Sequence, residues 1–182
     1  MLGPMVRVRV DEVVDAPVEQ VLSLVMDIER YARVDEKIRP VLWHRRDGNV
    51  VRFACRPKLV GLRQPKVVQY AQLTPGERID IGLMPLPANR LAHAVARFRA
   101  SFECRPFDDQ QADDRQADDR QADGQQADGQ QGEHRTHLVR TLEFEFTPAL
   151  RWLLEPLLRR RLEPEVREEV RRAKQHLEQQ HG

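Results

Sequence analysis

Val13-Val14-Asp15-Ala16-Pro17-Val18-Glu19-Gln20-Val21 is the junction on which the fold turns. Upstream of it, Val6, Val8 and Val10 alternate with Arg7, Arg9 and Asp11, the two-residue period of a strand with one buried face. Downstream, Val18, Val21, Leu22 and Val25 recur at helical spacing and give a helix one apolar face. Pro17 suits the first turn of that helix, and Asp15 and Glu19 sit near the positive end of its dipole. Asp27 to Tyr31 reads as a break into a second short helix.

A run of strands follows. Residues 38–46 lead into Asp47-Gly48-Asn49, a hairpin signal, and residues 49–59 alternate Val51, Phe53, Cys55 and Leu59 against Arg52, Arg56 and Lys58. Residues 65–73 form a further strand, closed by Thr74-Pro75-Gly76 and followed by residues 79–83. Residues 91–104 read as one long strand whose even positions carry Ala92, Ala94, Ala96, Phe98, Ala100, Phe102 and Cys104. Residues 136–146 make the last strand. Residues 148–180 keep a helical period, with Pro156 and Pro164 predicting a kink or break. Packing of this helix on the sheet is the expected role, ahead of a membrane-surface role, because Glu163, Glu165, Glu168 and Glu169 dilute its positive charge.

The order of elements predicts an α+β fold: a curved antiparallel sheet of six to seven strands wrapped around one long C-terminal helix, with two short helices after the first strand. The space between such a sheet and helix commonly holds a small molecule. The whole chain, 182 residues with 40% hydrophobic and 32% charged, suits a single domain. No apolar run approaches the roughly 18 residues of a membrane-spanning helix, and no secretory leader is recognisable. Two cysteines, Cys55 and Cys104, make neither a disulfide framework nor a zinc set, so a cytoplasmic protein without metal or other cofactor is expected.

Residues 111–130 are four copies of one pentad, QADDR, QADDR, QADGQ and QADGQ. A five-residue period fits neither helix nor strand, and alanine is the segment's only apolar residue. Residues 108–132 are therefore read as a disordered insertion in the hairpin between the last two strands. The aspartate spacing departs from known calcium loops. Eight aspartates against two arginines give this stretch a charge of −6, so the rest of the chain carries +7 within an overall +1. A nucleic-acid role is not expected, since no recognised binding module is present and the arginines are scattered. Deleting residues 111–130 should leave the melting temperature nearly unchanged; a fall of many degrees would show the repeat to be structural.

With these elements in order, the chain resembles the START-like or SRPBCC superfamily, which includes polyketide cyclase/dehydrase-like proteins with a helix-grip fold. The resemblance rests on residues 13–21, on Asp27-Ile28-Glu29-Arg30-Tyr31, on the Asp47-Gly48 hairpin, and on Leu154-Glu155-Pro156-Leu157-Leu158 running on to Val170-Arg171-Arg172-Ala173-Lys174. It spans the chain except for the repeat. Many relatives carry a Trp-x-Pro soon after the second short helix, where this chain has Val34-Asp35-Glu36. The resemblance implies a lipophilic ligand (a lipid, polyketide or quinone-like molecule) held between sheet and helix by a carrier or sensor. Its alternatives are a polyketide cyclase/dehydratase using the same cavity, and a protein- or membrane-interacting module with no small-molecule ligand.

Alternation selects the cavity candidates. Phe53, Cys55, Phe98, Phe102, Leu142, Phe144 and Phe146 should face the helix; Trp43, Tyr70 and Trp152 join the candidates with their facing open to a bulge that shifts register by one residue, and Leu153 is added from the helix. Each aromatic reads as plain core before it reads as a ligand contact. Arg140 is the most informative residue, because it shares the face of Leu138, Leu142, Phe144 and Phe146. In a cavity its guanidinium binds a ligand carboxylate or polarises a ketone or enolate oxygen. Three other fates are open to it: a bulge turns it outward, a buried carboxylate pairs with it, or it snorkels at the mouth.

Overall fold

β1 (Val6–Val14) buries Val6, Val8, Val10 and Val14 and turns Arg7 and Arg9 to solvent, as its alternation requires. The structure, a computed structural model, describes residues 5–59, 61–107 and 135–179. Pro17 is the N-cap of α1 (Val18–Met26), and the Asp27 carboxylate caps α2 (Ile28–Val34) by accepting the Arg30 backbone N–H at 3.1 Å. A 3-10 turn, Glu36–Ile38, follows.

The strands are β2 (Val41–Asp47), β3 (Val50–Cys55), β4 (Lys58–Leu59), β5 (Leu62–Arg63), β6 (Val67–Thr74), β7 (Arg78–Leu83), β8 (Ala96–Pro106) and β9 (Thr136–Phe146). Seven form one antiparallel sheet in the order β1-β9-β8-β7-β6-β3-β2, while β4 and β5 make a separate ribbon. Gly48 sits at φ +56°, the left-handed conformation that the tight β2–β3 turn demands. The final helix, α4 (Pro148–Glu178), packs on β1, β9 and α2 and buries Leu158, Leu162, Val166, Val170, Ala173 and Leu177. This is a helix-grip fold.

Three expectations need correction. Residues 91–104 are not one strand: α3 (Arg90–Val95) occupies the first part, and only from Ala96 does the chain join the sheet. Leu, Ala and His are tolerated by either structure, and the alternating alanines carried no strand-specific information. The strand expected over residues 49–59 ends at Cys55, and Lys58 and Leu59 belong instead to the small β4–β5 ribbon. Pro156 and Pro164 do not divide α4, for both face solvent, where water can satisfy the carbonyls they leave without an N–H partner. The chain leaves the sheet at Phe107, whose N–H donates to the Arg135 carbonyl at 2.9 Å, and rejoins it there. The pentad repeat lies outside the described residues.

On β7, Gly82 pairs with Tyr70 of β6, and the Tyr70 ring covers it so closely that an added Cβ would lie 2.8 Å from the hydroxyl oxygen. Gly82→Ala should therefore cost about 1–3 kcal/mol by displacing the ring. Adding Tyr70→Ala should recover part of that loss in a thermal melt, and strict additivity would sink the explanation.

Candidate functional site

The sheet and the N-terminal half of α4 do not close on one another; a cavity of about 440 Å³ lies between them. α4 contributes Leu154, Leu157 and Leu158, and the sheet contributes Phe53, Phe98, Leu142, Phe144 and Phe146, five residues expected there from alternation. The Phe98 and Phe144 ring centroids are 5.1 Å apart, and Phe144 stacks on Phe146 at 6.0 Å, so one wall is a continuous aromatic surface. At the mouth, Leu62 and Leu91 are exposed beside Lys58, Lys66 and Arg90. The Asn89 side chain braces this edge: its amide donates to the Val68 and Met84 carbonyls at 2.7 Å each and accepts the Val68 N–H at 2.8 Å.

The other candidates fall elsewhere. Phe102 is buried beneath the cavity floor, and Cys55 is buried without lining it. Tyr70 stands on the face opposite the cavity, and its neighbour Gln69 lines the wall instead. Trp43 is 45% and Trp152 75% exposed, and neither reaches the cavity. A register shift between Val41 and Trp43 breaks the regular alternation of β2 at that point. The side chain of Leu153 lies outside the described residues. Both cysteines are free, and burial pushes each thiol up to about 12, which leaves them inert.

Arg140 does face inward, and its charge is met there. Cross-strand register sets it opposite Phe102, whose ring lies 4.0 Å below the guanidinium. Its Nε donates to Glu169 Oε1 at 3.2 Å and its Nη1 to the Ser101 carbonyl at 3.4 Å. The Tyr31 hydroxyl donates to the same Glu169 oxygen, while Lys37 Nζ donates to Glu169 Oε2 at 2.6 Å. Lys37 Nζ also lies 3.0 Å from Asp35 Oδ1, which accepts the Lys37 backbone N–H at 2.9 Å. The Tyr31 ring meets Phe102 edge-on at 5.7 Å, which fixes the hydroxyl toward α4. Two cations, two carboxylates and a phenol thus form one buried network, and Tyr31, Asp35, Lys37 and Arg140 line the cavity.

Burial opposes the charge on Glu169, but Arg140 and Lys37 together outweigh it and hold the carboxyl down at about 2. Asp35 moves the other way, raised by burial and then by the Glu169 charge, against the pull of Lys37. Burial and the adjacent carboxylate also drive the Tyr31 hydroxyl well above its ordinary value. Lys37 stays charged because Glu169 and Asp35 together exceed its desolvation.

Glu169, Lys37, Asp35 and Gln69 were not singled out from the sequence. Glu169 had a legible signal: the buried stripe Leu162, Val166, Ala173, Leu177 passes through position 169 at helical spacing, so a carboxylate there faces the core. Asp35 and Lys37 lie at a 3-10 turn, which has no period to read.

The family model described as polyketide cyclase/dehydrase and lipid transport matches residues 5–178. No curated protein matches the chain. Among solved structures, the Zhui aromatase/cyclase from Streptomyces sp. R1128 aligns with a TM-score of 0.66 at 15% identity, over 98% of this chain and 97% of its own. A START superfamily protein from Mycobacterium smegmatis aligns at 0.58 and 18% identity, over 97% and 99%. A protein from Thermus thermophilus aligns at 0.59 and 17% identity, over 92% and 97%. At such identities the likeness is one of fold.

Proposed function

The chain belongs to the polyketide cyclase/dehydrase and lipid transport family, and on that premise we propose that it holds a lipophilic small molecule between its sheet and α4, as a carrier or sensor. The observation that carries this reading is the cavity of about 440 Å³, apolar along its walls and polar at one end. Such a volume falls in the range of small-molecule sites. Apolar burial at about 25 cal/mol per Å² supplies the affinity, and the polar end orients the ligand. A cytoplasmic setting accords with two buried, unpaired cysteines. Among the described residues no helix is long and apolar enough to cross a membrane.

Native mass spectrometry of the purified protein, followed by solvent extraction, tests the proposal. A bound lipid, polyketide or quinone supports it. An apo mass, together with failure to bind a neutral apolar dye, counts against it. The second reading, a polyketide cyclase/dehydratase, is favoured by one specific observation: Tyr31, Asp35, Lys37 and Arg140, all titratable, line the polar end of the cavity in place of apolar groups. That reading requires turnover of the extracted compound or of a poly-β-ketone analogue. Stoichiometric binding without product returns the weight to the carrier.

A further inference from the structure

We infer that the cavity selects neutral, oxygen-bearing lipophiles over carboxylates, and that Glu169 sets this preference; the inference rests on the ligand-binding reading above. Arg140 and Lys37, taken alone, would make a receptor for a fatty-acid or other carboxylate head. Neither cation is alone. Glu169 spans them, with Oε1 3.2 Å from Arg140 Nε and Oε2 2.6 Å from Lys37 Nζ, and Asp35 stands 3.0 Å from the same Nζ. The polar end therefore balances two positive charges with two negative ones. An entering carboxylate at this end would be a third anion, placed in a water-poor space beside two buried carboxylates; the cavity's other cations, Lys58, Lys66 and Arg90, stand exposed at the mouth, where solvent screens them. A ketone, alcohol, phenol or ester adds no charge.

Hydrogen-bond capacity for such a group remains. Among the described residues the bonds of the Arg140 side chain engage Nε and Nη1, so Nη2 keeps its N–H donors. Gln69 lies buried on the wall, and its only side-chain hydrogen bond among the described residues is a long N–H to Cys55 Sγ at 3.8 Å. Its amide oxygen and second N–H are left to a ligand. A donor cluster at one end and a two-way amide on the wall match a carbonyl or hydroxyl. Glu169 is thus a specificity-determining residue that sets the charge of the site through the two cations it holds.

The test is displacement of Nile red at pH 8 by dodecanol, methyl dodecanoate and dodecanoate, ligands of one chain length that differ in head group. Dodecanol and the ester should compete about tenfold or more better than the carboxylate, a difference near 1.4 kcal/mol. Glu169→Gln, which gives the site one net positive charge, should narrow or invert that ratio. Asp35→Asn makes the same change of charge at a residue whose carboxylate, among the described residues, bonds to Lys37 alone, and serves if Glu169→Gln does not fold. Dodecanoate competing as well as its ester in the wild type overturns the inference and leaves the cavity reading standing. An unchanged ratio in a folded variant overturns the role of the carboxylates. Failure of Nile red and all three ligands to bind overturns both readings.

Discussion

Glu169→Ala lowers the melting temperature by roughly 6–20 °C. The carboxylate is 2% exposed and accepts from Arg140, Lys37 and Tyr31 together. Its removal leaves a buried guanidinium matched only by the weak Ser101 contact and the face of Phe102. Breaking a buried pair by deleting one partner costs about 3–5 kcal/mol, and each kcal/mol shifts the melting point of a chain this size by about 2–4 °C. Glu168→Ala is the matched control. Its carboxylate pairs with Arg171 and Arg172 on the solvent face, where screening leaves little to lose, so its melting point should barely move. Equal losses in the two variants would refute a buried role for Glu169.

The same residue fixes an acid dependence. Its folded carboxyl titrates at about 2, below the ordinary 4.5, so its stabilisation is complete above about pH 4.5 and drains away as pH falls toward 2. Asp35 has the opposite sign: folding raises its carboxyl, so ionising it weakens the fold as pH rises above its ordinary 3.8. The two oppose one another near pH 4, and the steep loss comes below. Melts of Glu169→Ala between pH 5 and pH 2.5 should decline less steeply than wild type.

How much of this was legible follows from what each residue shows to a periodicity argument. β9 was readable to the residue: Leu138, Arg140, Leu142, Phe144 and Phe146 all point inward, because a strand paired on both sides keeps its alternation. Of the fates considered for Arg140, pairing with a buried carboxylate is the one it meets, yet its partner is 29 residues downstream on another element. A one-dimensional pattern assigns Glu169 to a face of α4 and stops there. Edges were less legible. β2 is an edge strand on which every residue after Val41 is exposed, so the aromatic character of Trp43 did not imply burial. Trp152 shows the same for the start of α4, and Tyr70 for a strand whose buried face runs through Val67, Gln69 and Ala71.

Filling the cavity should separate binding from folding. Leu83 at the end of β7 and Leu157 on α4 both line the cavity and are only half-buried, so either can be enlarged without driving a side chain into close-packed core. Leu83→Trp and Leu157→Trp each put an indole where ligand would lie. Losing room for three or four methylenes, at about 0.8 kcal/mol each, weakens binding roughly 100-fold. The melting temperature should hold or rise, because the indole replaces empty space with contact. Trp43→Ala and Trp152→Ala, outside the cavity, should leave dye affinity as it was. If the filled variants bind Nile red as tightly as wild type while the exposed-tryptophan variants lose it, the ligand sits on the outer surface. The exposed surface at Trp43 and Trp152, rather than the space beneath α4, would then be the place to look.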